Sequence, residues 1–109
     1  MQEVNSIQEI ENLIRKNNFV LLYFSTPDCA VCKVLKPKVE EMVKYFPEII
    51  SLYINLDKIE FAKGTYSVFT IPTILLYING KEYVRESQYI SVEELKDKIE
   101  RYYEIYKLE

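Results

Sequence analysis

The chain has 109 residues, 49% apolar and 28% charged, enough for one domain (1–109) with a hydrophobic core. Its net charge of −3 gives no basis for nucleic-acid binding. No histidine is present, which excludes Ser-His-Asp and Cys-His catalysis and every imidazole metal site.

Met1 to Ser6 shows neither a basic segment nor an apolar signal core, and no run approaches the ~18 apolar residues of a membrane span. A cytoplasmic location without membrane association is therefore expected. Ser6-Ile7-Gln8-Glu9 has the pattern of a capping box, Ser at the N-cap and Glu three residues on. Ile7, Ile10, Leu13 and Ile14 follow at helical spacing, and Asn17-Asn18 ends that helix. Phe19 to Phe24 is apolar throughout, which suits a strand buried on both faces of a parallel sheet. Ser25-Thr26-Pro27-Asp28 reads as a loop.

A second helix is expected from Cys29 to Phe46. Val31, Leu35, Val39, Met42, Val43 and Phe46 form its inner face, and Pro37 kinks it. Ile49 to Asn55 reads as a buried strand, and Ile59 to Tyr66 as a short helix. Thr73 to Ile78 is a third strand, and Asn79-Gly80 is a strong hairpin signal. Lys81 to Arg85 then pairs back as a charged edge strand. Ser91-Val92-Glu93-Glu94 opens a last helix with Leu95, Ile99 and Tyr102 or Tyr103 inward. Tyr102, Tyr103 and Tyr106 cannot all face inward, so part of this cluster is a candidate partner surface.

Strands alternating with helices predict an α/β fold. A central mixed sheet of four strands, or five if Val4 and its neighbours join, carries helices on both faces. A right-handed crossover joins its first two parallel strands.

Cys29 and Cys32 are the only cysteines. They stand three apart where a buried strand gives way to a helix, and can alternate between dithiol and small-ring disulfide. Cys29 at the helix N-terminus meets unpaired N–H groups and the positive end of the macrodipole, which favour a thiolate. Cys32 lies one turn deeper. Cys29 is thus the expected nucleophile toward a substrate disulfide, and Cys32 the resolving thiol. Two other readings stay open: an inert buried pair, or half of a metal site completed by a second chain.

The strand, Cys29-Ala30-Val31-Cys32, Pro37 and Ile71-Pro72-Thr73, in that order, resemble the thioredoxin family from about Ser6 to Leu108. Lys33 matches the basic residue that often follows the second cysteine, and Asn79-Gly80 the turn before the last strand. The resemblance implies the thioredoxin fold and a cis Ile71–Pro72 bond beside the disulfide. It implies that the Ile71 N–H and C=O bind an extended substrate segment. Activity on protein disulfides, no cofactor held in the chain, and an NADPH-dependent reductase as electron donor follow from it, and a monomer is expected.

Three departures bear on the site. The family usually has Trp-Cys-Gly-Pro-Cys, whereas this chain has Asp28 before Cys29, Ala-Val between the cysteines, and no tryptophan. Asp28 either disfavours the thiolate as a like charge or serves as the helix N-cap. Only a moderately lowered Cys29 pKa and a reducing pair are expected. Tyr23 stands where the family commonly has a buried Asp that relays a proton to the resolving thiol, and Tyr53 replaces an accompanying Lys. A tyrosine is a poor base near neutral pH, so mixed disulfides are expected to persist. It also has a plain alternative role, packing and hydrogen bonding in the core. Gln88 replaces a frequent glycine near the binding surface. The functions considered are a thiol–disulfide oxidoreductase and, alternatively, a redox-switched binding or sensor module with little turnover.

Overall fold

A computed structural model of the chain describes residues 1–107. Leu108, at the end of the family resemblance, lies outside them. The elements are β1 (Gln2–Glu3), α1 (Ile7–Lys16), β2 (Phe19–Ser25), α2 (Ala30–Val43), β3 (Ile49–Asn55), α3 (Ala62–Thr65), β4 (Thr73–Ile78), β5 (Lys81–Ser87) and α4 (Val92–Lys107). The strands form one mixed sheet in the order β1-β3-β2-β4-β5. β3 runs parallel to β1 and β2, whereas β4 runs antiparallel to β2 and β5. The fifth strand at the N-terminus is present, and it places Val4 in the core.

All seven residues of β2 are buried. Side chains alternate across a strand, so each face of the sheet takes alternate residues. Phe19, Leu21 and Tyr23 pack with Leu35, Val39 and Met42 of α2 and with Leu95, Ile99 and Tyr103 of α4. Val20, Leu22 and Phe24 pack with Ile10 and Ile14 of α1 and Ala62 of α3. The helices thus cover both faces, and each owes its place to an apolar stripe facing β2.

Local chemistry sets the element ends. Ser6 Oγ accepts from the Glu9 N–H at 3.1 Å, and the Glu9 carboxylate accepts from the Asn5 N–H at 2.7 Å. Ser91 Oγ accepts from the Glu94 N–H at 3.3 Å, capping α4. Asn79 (φ 50°) and Gly80 (φ 85°) both take left-handed backbone, as the two-residue hairpin requires.

Two expectations about α2 need correction. Val31 does not face inward: it is 63% exposed, because α2 buries the stripe beginning at Cys32 instead. α2 ends at Val43, and Phe46 is buried from the turn beyond it. As expected, the tyrosines of α4 do not all face inward. Tyr103 is buried against Phe19 and Phe46, while Tyr102 and Tyr106 pack on Tyr83 of β5.

Tyr66 closes the α3 side of the core against Phe24 and Tyr77. Its buried hydroxyl has no hydrogen-bond partner among the described residues. A buried polar atom left unpaired costs more than an apolar atom there. Tyr66→Phe should therefore stabilise the fold by about 1 kcal/mol. Urea unfolding of the two proteins checks this, read as a higher midpoint at unchanged slope.

Candidate active site

The site starts at the end of β2. The chain leaves Ser25 and turns through Thr26-Pro27-Asp28-Cys29, closed by the Cys29 N–H donating to the Thr26 carbonyl at 3.2 Å. Proline suits the first central position of such a turn because its φ is preset. Asp28 occupies the other central position and is exposed.

The N-cap of α2 is therefore not Asp28 but Cys29, whose φ of −80° and ψ of 104° are extended. Its Sγ accepts from the Cys32 N–H at 3.2 Å, taking one of the orphan donors of the first turn. The Cys29 carbonyl accepts from the Lys33 N–H at 3.2 Å, which begins the helix. The same sulfur that caps the helix thus lies in the field of its N-terminus, where negative charge is favoured.

The two cysteines are joined in a disulfide with Cα atoms 5.2 Å apart. They differ sharply in burial: Cys29 is partly exposed, whereas Cys32 is 1% exposed. Lys33 points to solvent, and Pro37 lies inside α2.

Tyr23 lies beneath the pair, fully buried, and its hydroxyl donates to the Cys32 carbonyl at 2.6 Å. Burial pushes its phenol well above the ordinary tyrosine range, with smaller contributions from Tyr53 and Glu40. Tyr53 stacks on it with ring centroids 6.2 Å apart, and the Lys36 ammonium sits 5.3 Å from the Tyr53 centroid. Tyr23 is therefore a hydrogen-bond donor, not a base, at neutral pH. It pins the first turn of α2 to the central strand.

Across from Cys29 lies the Ile71–Pro72 peptide, which is cis, the form the resemblance implies. Cys29, Ile71 and Pro72 line one groove of ≈ 640 Å³. Neither the N–H nor the C=O of Ile71 has a hydrogen-bond partner among the described residues. The structure brings Cys29, Cys32, Tyr23, Ile71 and Pro72 together. Asp28 and Lys33 flank the site as exposed side chains. Gln88 lines the groove as expected, with a left-handed φ of 61°. Sequence reasoning missed Tyr89 and Ile90, which line it too. They fall in a loop without periodicity.

Sheet order and site together define a class, a thiol–disulfide oxidoreductase built on the thioredoxin fold. The family model for thioredoxin matches residues 2–101. The thioredoxin-like protein YdfQ of Bacillus subtilis (strain 168) is 37% identical over 106 residues, 97% of this chain and 95% of that protein. The chain belongs to the thioredoxin family, and its Cys29–Cys32 pair is the redox-active disulfide of that class. A thioredoxin from Fasciola hepatica shares the fold with a TM-score of 0.84 and 29% identity, over 93% of this chain and 98% of that one. A Plasmodium falciparum thioredoxin is alike in fold, with a TM-score of 0.85 at 24% identity over 94% and 99% of the two chains. Among the described residues, no helix is long and apolar enough to cross a membrane.

Burial also pushes the phenols of Tyr66 and Tyr77 up. Above about pH 10 the unfolded chain loses phenolic protons that the folded chain keeps. The unfolded state then binds fewer protons, so stability falls as pH rises, and below that range the contribution is fully present. Tyr23→Phe should make this alkaline loss shallower. At pH 7 it should cost about 1 kcal/mol, the net worth of one hydrogen bond. Urea midpoints measured from pH 7 to pH 11 test both effects.

Proposed function

We propose that this chain reduces protein disulfides by dithiol–disulfide exchange, with Cys29 attacking and Cys32 resolving. The observation that carries the reading is the asymmetry of the pair: one sulfur borders a groove at a helix N-terminus, and the other is buried behind it. In the reduced protein the Cys29 thiolate attacks one sulfur of the substrate disulfide. That bond breaks, and the other substrate sulfur leaves as a thiolate and takes a proton. Cys32 then gives up its proton and attacks Cys29 Sγ, releasing the second substrate thiol. Two electrons pass to the substrate, and the protein is left as the Cys29–Cys32 disulfide.

The unpartnered Ile71 N–H and C=O would hold the substrate backbone as an added strand does. An NADPH-dependent reductase would return the two electrons, as the likeness to thioredoxins implies. The chain would act as a monomer in the cytoplasm, where a reducing environment suits a dithiol.

Tyr23 favours a second reading. A buried phenol that stays protonated cannot take the Cys32 proton, so resolution lacks an internal base and the mixed disulfide lasts longer. In the extreme the protein is a redox-switched binding module with little turnover. Steady turnover of a protein disulfide separates the two.

Cys32→Ser should accumulate a stable mixed disulfide at Cys29, visible by mass spectrometry, whereas Cys29→Ser should accumulate none. The mixed disulfide of Tyr23→Asp should decay about 100-fold faster than that of the wild-type protein, the lower end of the range for a positioned proton acceptor. Rapid-quench measurements read this rate, and no acceleration would show that Tyr23 does not limit resolution.

A further inference from the structure

The groove beside Cys29 carries an aromatic side chain that the core does not use. Tyr89 is 97% exposed. The backbone around it is nevertheless fixed. The Gln88 N–H donates to the Pro72 carbonyl at 2.8 Å, and the Ile90 N–H donates to the Gln88 carbonyl at 2.9 Å. Gln88 holds a left-handed φ of 61°, a conformation unfavourable for a residue other than glycine. The turn that presents Tyr89 is thus tied to the loop that presents Ile71, and it sets the ring on the rim of the site.

Among the described residues, no charged side chain lines this groove. It shares Val31, Leu35 and Ile90 with a neighbouring hollow along α2, which adds Val34 and Val92 before charge appears at Lys38 and Glu93. Val31 and Val34 are each 63% exposed. A charged substrate side chain laid here would lose water and gain no counter-charge. A bulky apolar side chain would gain burial and ring contact. An exposed apolar surface continuous with a reactive sulfur is more than scattered surface hydrophobicity.

We propose that Tyr89 is a specificity-determining residue. It packs on a large apolar or aromatic side chain next to the attacked cysteine of an extended substrate segment, and so selects disulfides in apolar sequence contexts. The proposal rests on the oxidoreductase reading above. A tyrosine ring suits this role because it offers large contact area with few rotatable bonds to freeze.

The test uses three disulfide-linked peptide dimers: Gly-Phe-Cys-Gly-Ser, Gly-Ser-Cys-Gly-Ser and Gly-Lys-Cys-Gly-Ser. Fully reduced protein is mixed with each in single turnover, quenched with acid and resolved by chromatography. Each turnover converts one dimer to two peptide thiols and the protein dithiol to its disulfide. Rates are divided by those with dithiothreitol to remove intrinsic reactivity, and hydroxyethyl disulfide serves as a small substrate without flanking residues.

The wild-type protein should reduce the Phe dimer about 10-fold faster than the Ser dimer, the scale of one good apolar contact. Tyr89→Ser should bring that ratio below about 3, and Tyr89→Phe should keep it, since the ring and not the hydroxyl makes the contact. Equal rates for the Phe and Ser dimers, a Lys dimer faster than both, or a ratio unchanged in Tyr89→Ser would overturn the proposal while leaving the oxidoreductase reading intact. Failure to reduce hydroxyethyl disulfide and all three dimers would overturn that reading and this one with it.

Discussion

The site depends on a strand with no free edge and no free face. β2 is paired with β3 on one side and β4 on the other, and all its residues are buried. A strand so enclosed cannot slip by one residue without turning every side chain to the wrong layer. Its C-terminal end is therefore fixed, and with it the turn at Pro27-Asp28 and the first residue of α2. The same enclosure aligns β4 antiparallel to β2, with Thr73 opposite Phe24. Pro72, one residue before β4, then falls at the end of the sheet where Cys29 lies. The reactive pair and its facing loop are consequences of one register.

Within that frame the polar groups are few and each has a stated place. Cys29 Sγ caps the helix, and in the proposed reaction the N–H that it accepts would also steady a thiolate at that sulfur. Tyr23 reaches from the central strand to the Cys32 carbonyl and holds the buried sulfur's backbone in place. Position is retained there, while proton transfer is given up. The flanking charges are on exposed residues, Asp28 and Lys33, and the groove itself is uncharged. Under the proposed function binding and chemistry would be separated, with the apolar groove sorting substrates and the helix terminus activating the sulfur.

Much of this was legible in the sequence. β4 could be read in full because its apolar run is bounded by Pro72 and by Asn79-Gly80, each with a definite backbone requirement. The difference in burial between the two cysteines followed from their spacing at a strand–helix junction. Val31 and Cys32, four and three residues before Leu35, can each open the stripe that continues through Leu35, Val39 and Met42, and the buried one is Cys32. Asp28 was considered as a cap because its side chain suits one, but proline before it commits both to the turn. Pairing of Tyr83 with Tyr102 and Tyr106 joins β5 to α4, a tertiary contact that no local pattern carries. The rim at Tyr89 lies in a loop, where side-chain exposure follows from backbone bonds to a distant segment.

A thiolate stabilised by a helix terminus and little else would make this pair a reductant. Ala30 and Val31 add no charge between the cysteines, and Asp28 beside Cys29 opposes a strongly stabilised thiolate. A strongly stabilised reduced form makes a dithiol pair oxidising, and its absence leaves the pair reducing. Equilibration of the protein with dithiothreitol and glutathione redox buffers, read by mass spectrometry after thiol alkylation, gives the potential of the Cys29–Cys32 couple. A reducing pair of this kind gives a value near the about −270 mV of thioredoxin; a value near the about −120 mV of the strongly oxidising periplasmic relative would mean that the pair is an oxidant.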